Sequence, residues 1–551
     1  MKFAAGRRFP TRRYPYREPE SGVALDTSVD PLNDIPKASF VRYFLGRDDR
    51  PEAIETADVP KHVNDPFAQL ILAAGFRPLT LLDILDYLNQ ATGPNAVSGQ
   101  RLYRVADGGQ IPWDAATANL DRHLRLVVTR HRGEEAELFI SSAPPFDSAE
   151  IFLQVFAWDP VSGAYNFYER RRGIWSWAGS SWEAFDPQMR GLGPFDSHVS
   201  GAPVMKELKL PWMHWHSQSA LILDNILAPD DPLHNDPFYH GSELRGGEDL
   251  ELIVRAGVSR WTRSRFDRSI SGGMLKDAKL FFRHILSTTT VNLVTSPQQG
   301  AFLGDGEMLR LPTSFFLNSD CLLDELGLPA TIGRPKSPGT FYLDCLTTYG
   351  VELKDGPVTL ARDTPFAFAV PEPAFEDRTV LAELIRRGAL SRRLAASLLM
   401  VDFTNPVFSI RREKLHRYIP EEIALDGGQT LNDSFVAAVQ ASSEAAEPGS
   451  VEAEFLTIWS ANPAAWQDPM VAAIESYWTN LLRRLTTAAG FDEVFRLSES
   501  RRRQFRKSPL AEFGLTLAVA AKLEIPVPLQ MTEKARVIPN PPTEDQNHAI
   551  V

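Results

Sequence analysis

The sequence predicts an α+β fold, with an antiparallel β-meander over about 100–215 packed against a mainly helical remainder. Three observations predict it. In IFLQVFAWD, Ile151, Leu153, Val155 and Ala157 alternate with Phe152, Gln154, Phe156 and Trp158, which is strand period with both faces covered. Trp158, Trp175, Trp177 and Trp182 fall within 25 residues, as expected of the aromatic filling between a sheet and its helices. Beyond residue 216 the apolar positions change to helical spacing.

The elements follow in order. Residues 1–36 are rich in Pro, Arg and polar groups and read as a disordered basic N-terminal arm. Residues 37–100 form a helical segment; within it, 66–92 hold two short helices split at Pro78, with Leu81, Leu85 and Leu88 on one face. Region 101–215 is the antiparallel β region: IFLQVFAWD, a PVSG turn, then AYNFYERR, GIWSWAG and SSWEAFD as successive strands.

Region 216–440 is helical. It begins with a short helix over 217–227 capped by Ser217 and continues with another over 248–268. The stretch 272–294 carries Ala278, Phe281, Phe282, Ile285 and Thr289 on one face, and a helix follows over 376–401. Residues 441–454 read as a flexible acidic linker, 455–526 as a C-terminal helical segment with a helix at 468–490, and 527–551 as a disordered tail.

Bulk properties exclude several classes. At 551 residues the chain buries a large core without covalent staples. A net charge of −12 argues against a nucleic-acid partner, which needs a basic face. No run of 18 apolar residues is present, so no membrane helix is expected. Arg7-Arg8 and Arg12-Arg13 are followed by prolines and tyrosines rather than an apolar stretch, so no export signal is expected and the location reads as cytoplasmic. The same basic arm is a candidate docking element for an acidic protein partner. Two cysteines, Cys321 and Cys345, make no disulfide framework.

Standard catalytic signatures are absent. The chain has no phosphate-binding loop, dinucleotide fingerprint, nucleophile elbow, H-E-x-x-H or C-x-x-C. What stands out is histidine. Five of 11 fall at 198–240 (His198, His214, His216, His234, His240), where even placement would give about one.

PWMHWHSQSALI, 211–222, sets His214 between Trp212 and Trp215 and His216 directly after Trp215. Read as a strand, positions i and i+2 share a face, and two imidazoles so spaced converge on one ion. His284, on a helix expected to be buried, and His198 are the candidate further ligands. Glu207 and Asp224 supply carboxylates as catalytic groups, ligands or acceptors that orient an imidazole N–H.

Such a donor set suits iron or copper, with haem on His284 as a variant and zinc as another. The expected function is a metal-dependent oxidoreductase acting on a small organic substrate. The alternatives are a zinc-dependent hydrolase and a binding or scaffold protein without chemistry. The arginine runs 170–172 and 260–268 read as solvated faces or as clamps for a carboxylate or phosphate.

Overall fold

A computed structural model describes residues 30–203, 213–298, 306–363, 366–506, 515 and 517–540. The predicted α+β architecture is present. Strands β1 (Phe40–Arg42), β2 (Glu52–Ala53), β3 (Gly99–Val105), β4 (Arg125–Arg132), β5 (Glu135–Ser142), β6 (Leu153–Asp159), β7 (Ala164–Arg171) and β8 (Ile174–Ser180) form one sheet in the order β2-β1-β8-β7-β6-β5-β4-β3. From β3 to β8 it is the antiparallel meander that the alternation predicts. Only β1 joins in parallel, beside β8.

Both faces of this sheet are buried, because successive strand residues point to opposite sides. Leu102, Leu126, Val128, Leu138, Ile140, Val155 and Trp175 pack with Leu81, Ile84, Leu85 and Leu88 of α2 (Leu81–Gln90), which follows the short α1 (Val59–His62). Thr80 and Asp83 close a reciprocal capping box that fixes where α2 starts. The opposite face carries Tyr103, Val105, Phe139, Tyr165 and Phe167. It is covered by Leu250, Ile253, Val254, Val258 and Trp261 of α4 (Gly247–Ser269), which follows α3 (Pro237–His240). Phe266, nearer the C-terminal end of α4, belongs instead to a second and larger core built from the helices beyond it.

Several expected elements differ. SSWEAFD leaves the sheet and closes as a 3₁₀ turn at Glu183–Phe185, with the Glu183 carboxylate accepting from the Ser180 amide at 2.8 Å. Ser217 caps no helix; its hydroxyl holds the Ser219 and Ala220 amides in a turn, and only a 3₁₀ turn at Asp224–Ile226 follows.

The stretch 272–294 is helical only over α5 (Ala278–Leu286). Gly272 and Gly273, both at positive φ, turn a hairpin before it, and the β-branched Thr288–Thr290 run leads into a strand at Val291–Val294. After α6 (Gly339–Thr348), the expected helix 376–401 is two helices, α7 (Phe375–Arg386) and α8 (Arg392–Met400), parted at Gly388 with φ 75°.

The expected linker 441–454 is built: Ser442 and Ser450 cap a 3₁₀ turn at Ser443–Ala446 and a helix at Val451–Trp459. Of the expected tail, 527–540 contains a hairpin of Leu529–Met531 with Val537–Pro539, and 541–551 lie outside the described residues. Of the expected arm, 1–29 lie outside them too, while Leu32 is buried and Asp30 pairs with Arg171 at 2.9 Å. Cys321 and Cys345 are buried and unbridged. Among the described residues no helix is long and apolar enough to cross a membrane.

Candidate functional site

The outer edge of β3 is not left open. Trp215 forms an antiparallel bridge with Val105; the Ala106 amide donates to the His214 carbonyl at 2.6 Å and the His216 amide to the Arg104 carbonyl at 3.1 Å. Leu244 bridges Leu102 on the same edge. The stretch 213–216 is therefore one bridge against an edge strand, with Trp215 turned into the aromatic core and a histidine on each side of it.

The two imidazoles meet different partners. His214 is buried, and its Nδ1 lies 3.0 Å from Asp107 Oδ1, with Asp107 Oδ2 accepting the Leu515 amide. His216 Nδ1 faces two donors, Arg104 Nη2 at 3.1 Å and the Ile222 amide at 3.4 Å. Neither can accept, so Nδ1 is the acceptor and the ring proton sits on Nε2. Burial, and then the neighbouring Arg104 charge, lower the His216 pKa and keep it neutral.

Arg104 organises what surrounds it. It is only 7 % exposed. Its guanidinium carbon stands 5.1 Å over the Tyr239 ring and its Nη1 is 3.8 Å from Asp224 Oδ1, beyond hydrogen-bond reach. Arg104 Nε and Nη1 are buried without a hydrogen-bond acceptor, and the Tyr239 hydroxyl has the Arg104 side chain as its polar neighbour. Three of the five guanidinium N–H groups thus lack an acceptor.

Tyr239 and His240 come from α3, which Asp236 caps by accepting the Phe238 and Tyr239 amides. Burial pushes the Tyr239 phenol up to about 12. His240 Nδ1 lies 3.8 Å from the same Asp224 oxygen. Asp224 itself is 71 % exposed, while its backbone is pinned on both sides: the Leu223 amide donates to Gly109 and the Asn225 carbonyl accepts from Trp113. A buried cation with unused donors, a neutral histidine and an exposed carboxylate therefore converge at the covered edge of the sheet.

The remaining sequence candidates lie elsewhere. His284, on α5, donates from Nδ1 to Asp377 at 2.9 Å and accepts at Nε2 from Arg265 at 3.3 Å, so both ring nitrogens are engaged by protein groups and neither is open to a haem iron. Burial depresses the His284 pKa far below its usual range and raises that of Asp377 well above. Burial also pushes Glu376 up to about 7 and Arg265 down to about 10. Thr290 donates to Glu376, and Arg265 lies against the Phe185 and Phe281 rings. This is an interior network where α4, α5 and α7 meet.

His198 Nδ1 donates to the Ala202 carbonyl at 2.8 Å, between Phe156 and Phe167. Glu207 and Trp212 lie outside the described residues. Of the expected set, His216 and Asp224 are brought to one guanidinium, whereas His198, His214 and His284 each have their own partners. Among the described residues no group of three His, Cys, Asp or Glu side chains is placed to hold a metal ion.

The arginine runs are absorbed by the fold. Arg170 donates to the Ala149 and Ile151 carbonyls, Arg260 meets Glu137 at 3.1 Å and lies 4.4 Å from the Trp158 ring, and Arg268 lies over Trp182. The residues that sequence reasoning passed over are Arg104 and Tyr239. The available signal was an arginine inside the strand pattern RLYRV, at a position whose neighbours are Tyr103 and Val105. No family model, no curated protein and no solved structure matches this chain.

Proposed function

We propose that this chain binds a small organic anion, a carboxylate or a phosphate ester, at Arg104. One observation carries the reading: a guanidinium nine-tenths buried, whose Nε has no hydrogen-bond acceptor and whose Nη1 meets only the Asp224 carboxylate, at 3.8 Å. Buried donors left unmade cost about 1–3 kcal/mol each, so an arriving oxyanion relieves a penalty already present in the fold. Charge-assisted bonds from arginine to such groups are the stronger class of hydrogen bond.

His216 accepts from Nη2, which leaves Nε and Nη1, on opposite edges of the guanidinium, to donate singly. This reading is preferred over the metal-dependent oxidoreductase and the zinc hydrolase because the donors that converge here are cationic, and His216 has committed its Nδ1 to Arg104. The two unbridged thiols favour a reducing, cytoplasmic setting for it.

The test is a thermal-shift screen of carboxylates and phosphate esters on the full chain and on Arg104→Met, run beside elemental analysis of the same preparation. The reading predicts hits that stabilise the full chain but leave Arg104→Met unmoved, with no metal required. Hits that are retained by Arg104→Met, or that depend on stoichiometric iron, copper or zinc, contradict it.

A further inference from the structure

The last described segment of the chain is attached differently from the elements it lies on. Leu529–Met531 and Val537–Pro539 form a two-stranded sheet of their own. The bonds that hold this hairpin to the body run from side chains to its main chain. The Ser500 hydroxyl accepts the Leu529 amide at 2.9 Å, and the Glu493 carboxylate accepts the Val537 amide at 3.0 Å. At Met531 the Asn405 carboxamide stands in for a strand residue. Its Oδ1 accepts the Met531 amide at 2.9 Å and its Nδ2 donates to the Met531 carbonyl at 2.9 Å. Thr404 Oγ1 donates to the same carbonyl at 2.8 Å.

Apolar attachment is slight. Within 529–539 only Met531 and Ala535 are buried. The turn between the strands carries Glu533, whose carboxyl meets the charges of Glu454 and Asp402. After burial, these two raise its acid above the usual range. Arg411 pairs with Glu454 at 2.6 Å and the Arg412 charge acts on Asp402, so the repulsion is offset only in part. On the second strand Arg536 lies 3.5 Å from Glu493. Pro526 and Pro528 lead into the hairpin without an amide donor of their own.

We infer that this hairpin is a releasable strap, which opens as a unit from a helical core that stays folded, and whose turn is held against like charges. A segment with few buried apolar groups opens at a lower free energy than the core beneath it. Release frees the Thr404, Asn405 and Ser500 side chains from the strap's main chain.

Native-state hydrogen exchange on the full chain, at neutral pH in low urea, tests this. The Leu529, Met531 and Val537 amides make the anchoring bonds. They are expected to exchange roughly tenfold or more faster than the slowest amides of the helix at Ala488–Phe505, and with a weaker urea dependence. Thr404→Val removes one anchoring bond and is expected to quicken the three strap amides about fivefold while leaving that helix unchanged. Glu533→Gln removes the charge at the turn and is expected to slow them about two- to threefold. Strap and helix exchanging at one rate with one urea slope, a Thr404→Val effect shared equally by both, or no slowing in Glu533→Gln overturns the inference.

Discussion

Arg104 illustrates how a single side chain is kept for something other than stability. A buried guanidinium with one hydrogen-bonded acceptor and three idle N–H groups is a poor contributor to folding. Arg104→Met, close in volume and without charge, is expected to leave the unfolding free energy unchanged or to raise it by about 1–4 kcal/mol, read from urea denaturation midpoints, while abolishing anion binding. His284 is the contrast. Its two nitrogens join Asp377 to Arg265 in the interior, so His284→Ala takes one hydrogen-bond partner from a buried acid and one from a buried cation and is expected to cost about 3 kcal/mol.

Beside it, Glu376 gives a pH signature. Its carboxyl titrates near 7 in the fold against 4.5 in isolation, because burial disfavours the charged form more than Arg265 favours it. The folded state thus holds a proton that the unfolded state releases. The stabilisation is complete below the unfolded value and is lost as pH rises through about 7. Between pH 5 and 7 the denaturation midpoint of the full chain is expected to fall relative to that of Glu376→Gln, and above about pH 7 the two are expected to run parallel. Histidine clustering in the sequence marked the right region at His216, but the chemistry there is set by Arg104, whose partner lies 112 positions away and cannot be read from local spacing.

At the scale of elements, legibility followed periodicity. The strands over 153–180 were readable because their alternation is strict and both faces are filled. Where helical spacing ran across glycines it misled. The apolar face of 376–401 is continuous in sequence, yet Gly388 takes φ 75° and turns α7 away from α8, and a Cβ there would meet the Gly427 amide nitrogen at 3.1 Å. Gly388→Ala is expected to destabilise the fold by about 1–2 kcal/mol, visible in thermal unfolding. A neutral outcome would mean that the break has another cause. The bridge at Trp215 was overread as a strand for a related reason: an H-W-H alternation matches the pattern of a strand, but its pairing depends on β3, more than a hundred residues earlier.

At the scale of the molecule, α4 links two cores. Leu250 to Trp261 fill the sheet side and Phe266 the helical side, with Arg265 between them lying against rings from both. Trp261 is fully buried, hydrogen-bonded to the Ser200 carbonyl and edge-on to Trp182. Trp261→Ala is expected to lower stability by about 3–5 kcal/mol. Because α4 is shared, hydrogen exchange is expected to quicken in α5 and α7 as well as in β5 and β7; quickening confined to the sheet would mean that the two cores unfold separately.

The overall class was readable because alternation and helical spacing occupy separate halves of the chain. The site was not, because it is assembled from β3, the 214–225 stretch and α3, three segments that only the sheet edge brings together. The measurement that bears most directly on this account is calorimetric titration of the best stabilising anion into the full chain and into Arg104→Met. Saturable binding near one equivalent, lost in the folded variant, is the predicted result. Equal binding by both proteins, or heat from neither, contradicts the claim that Arg104 is the centre of function.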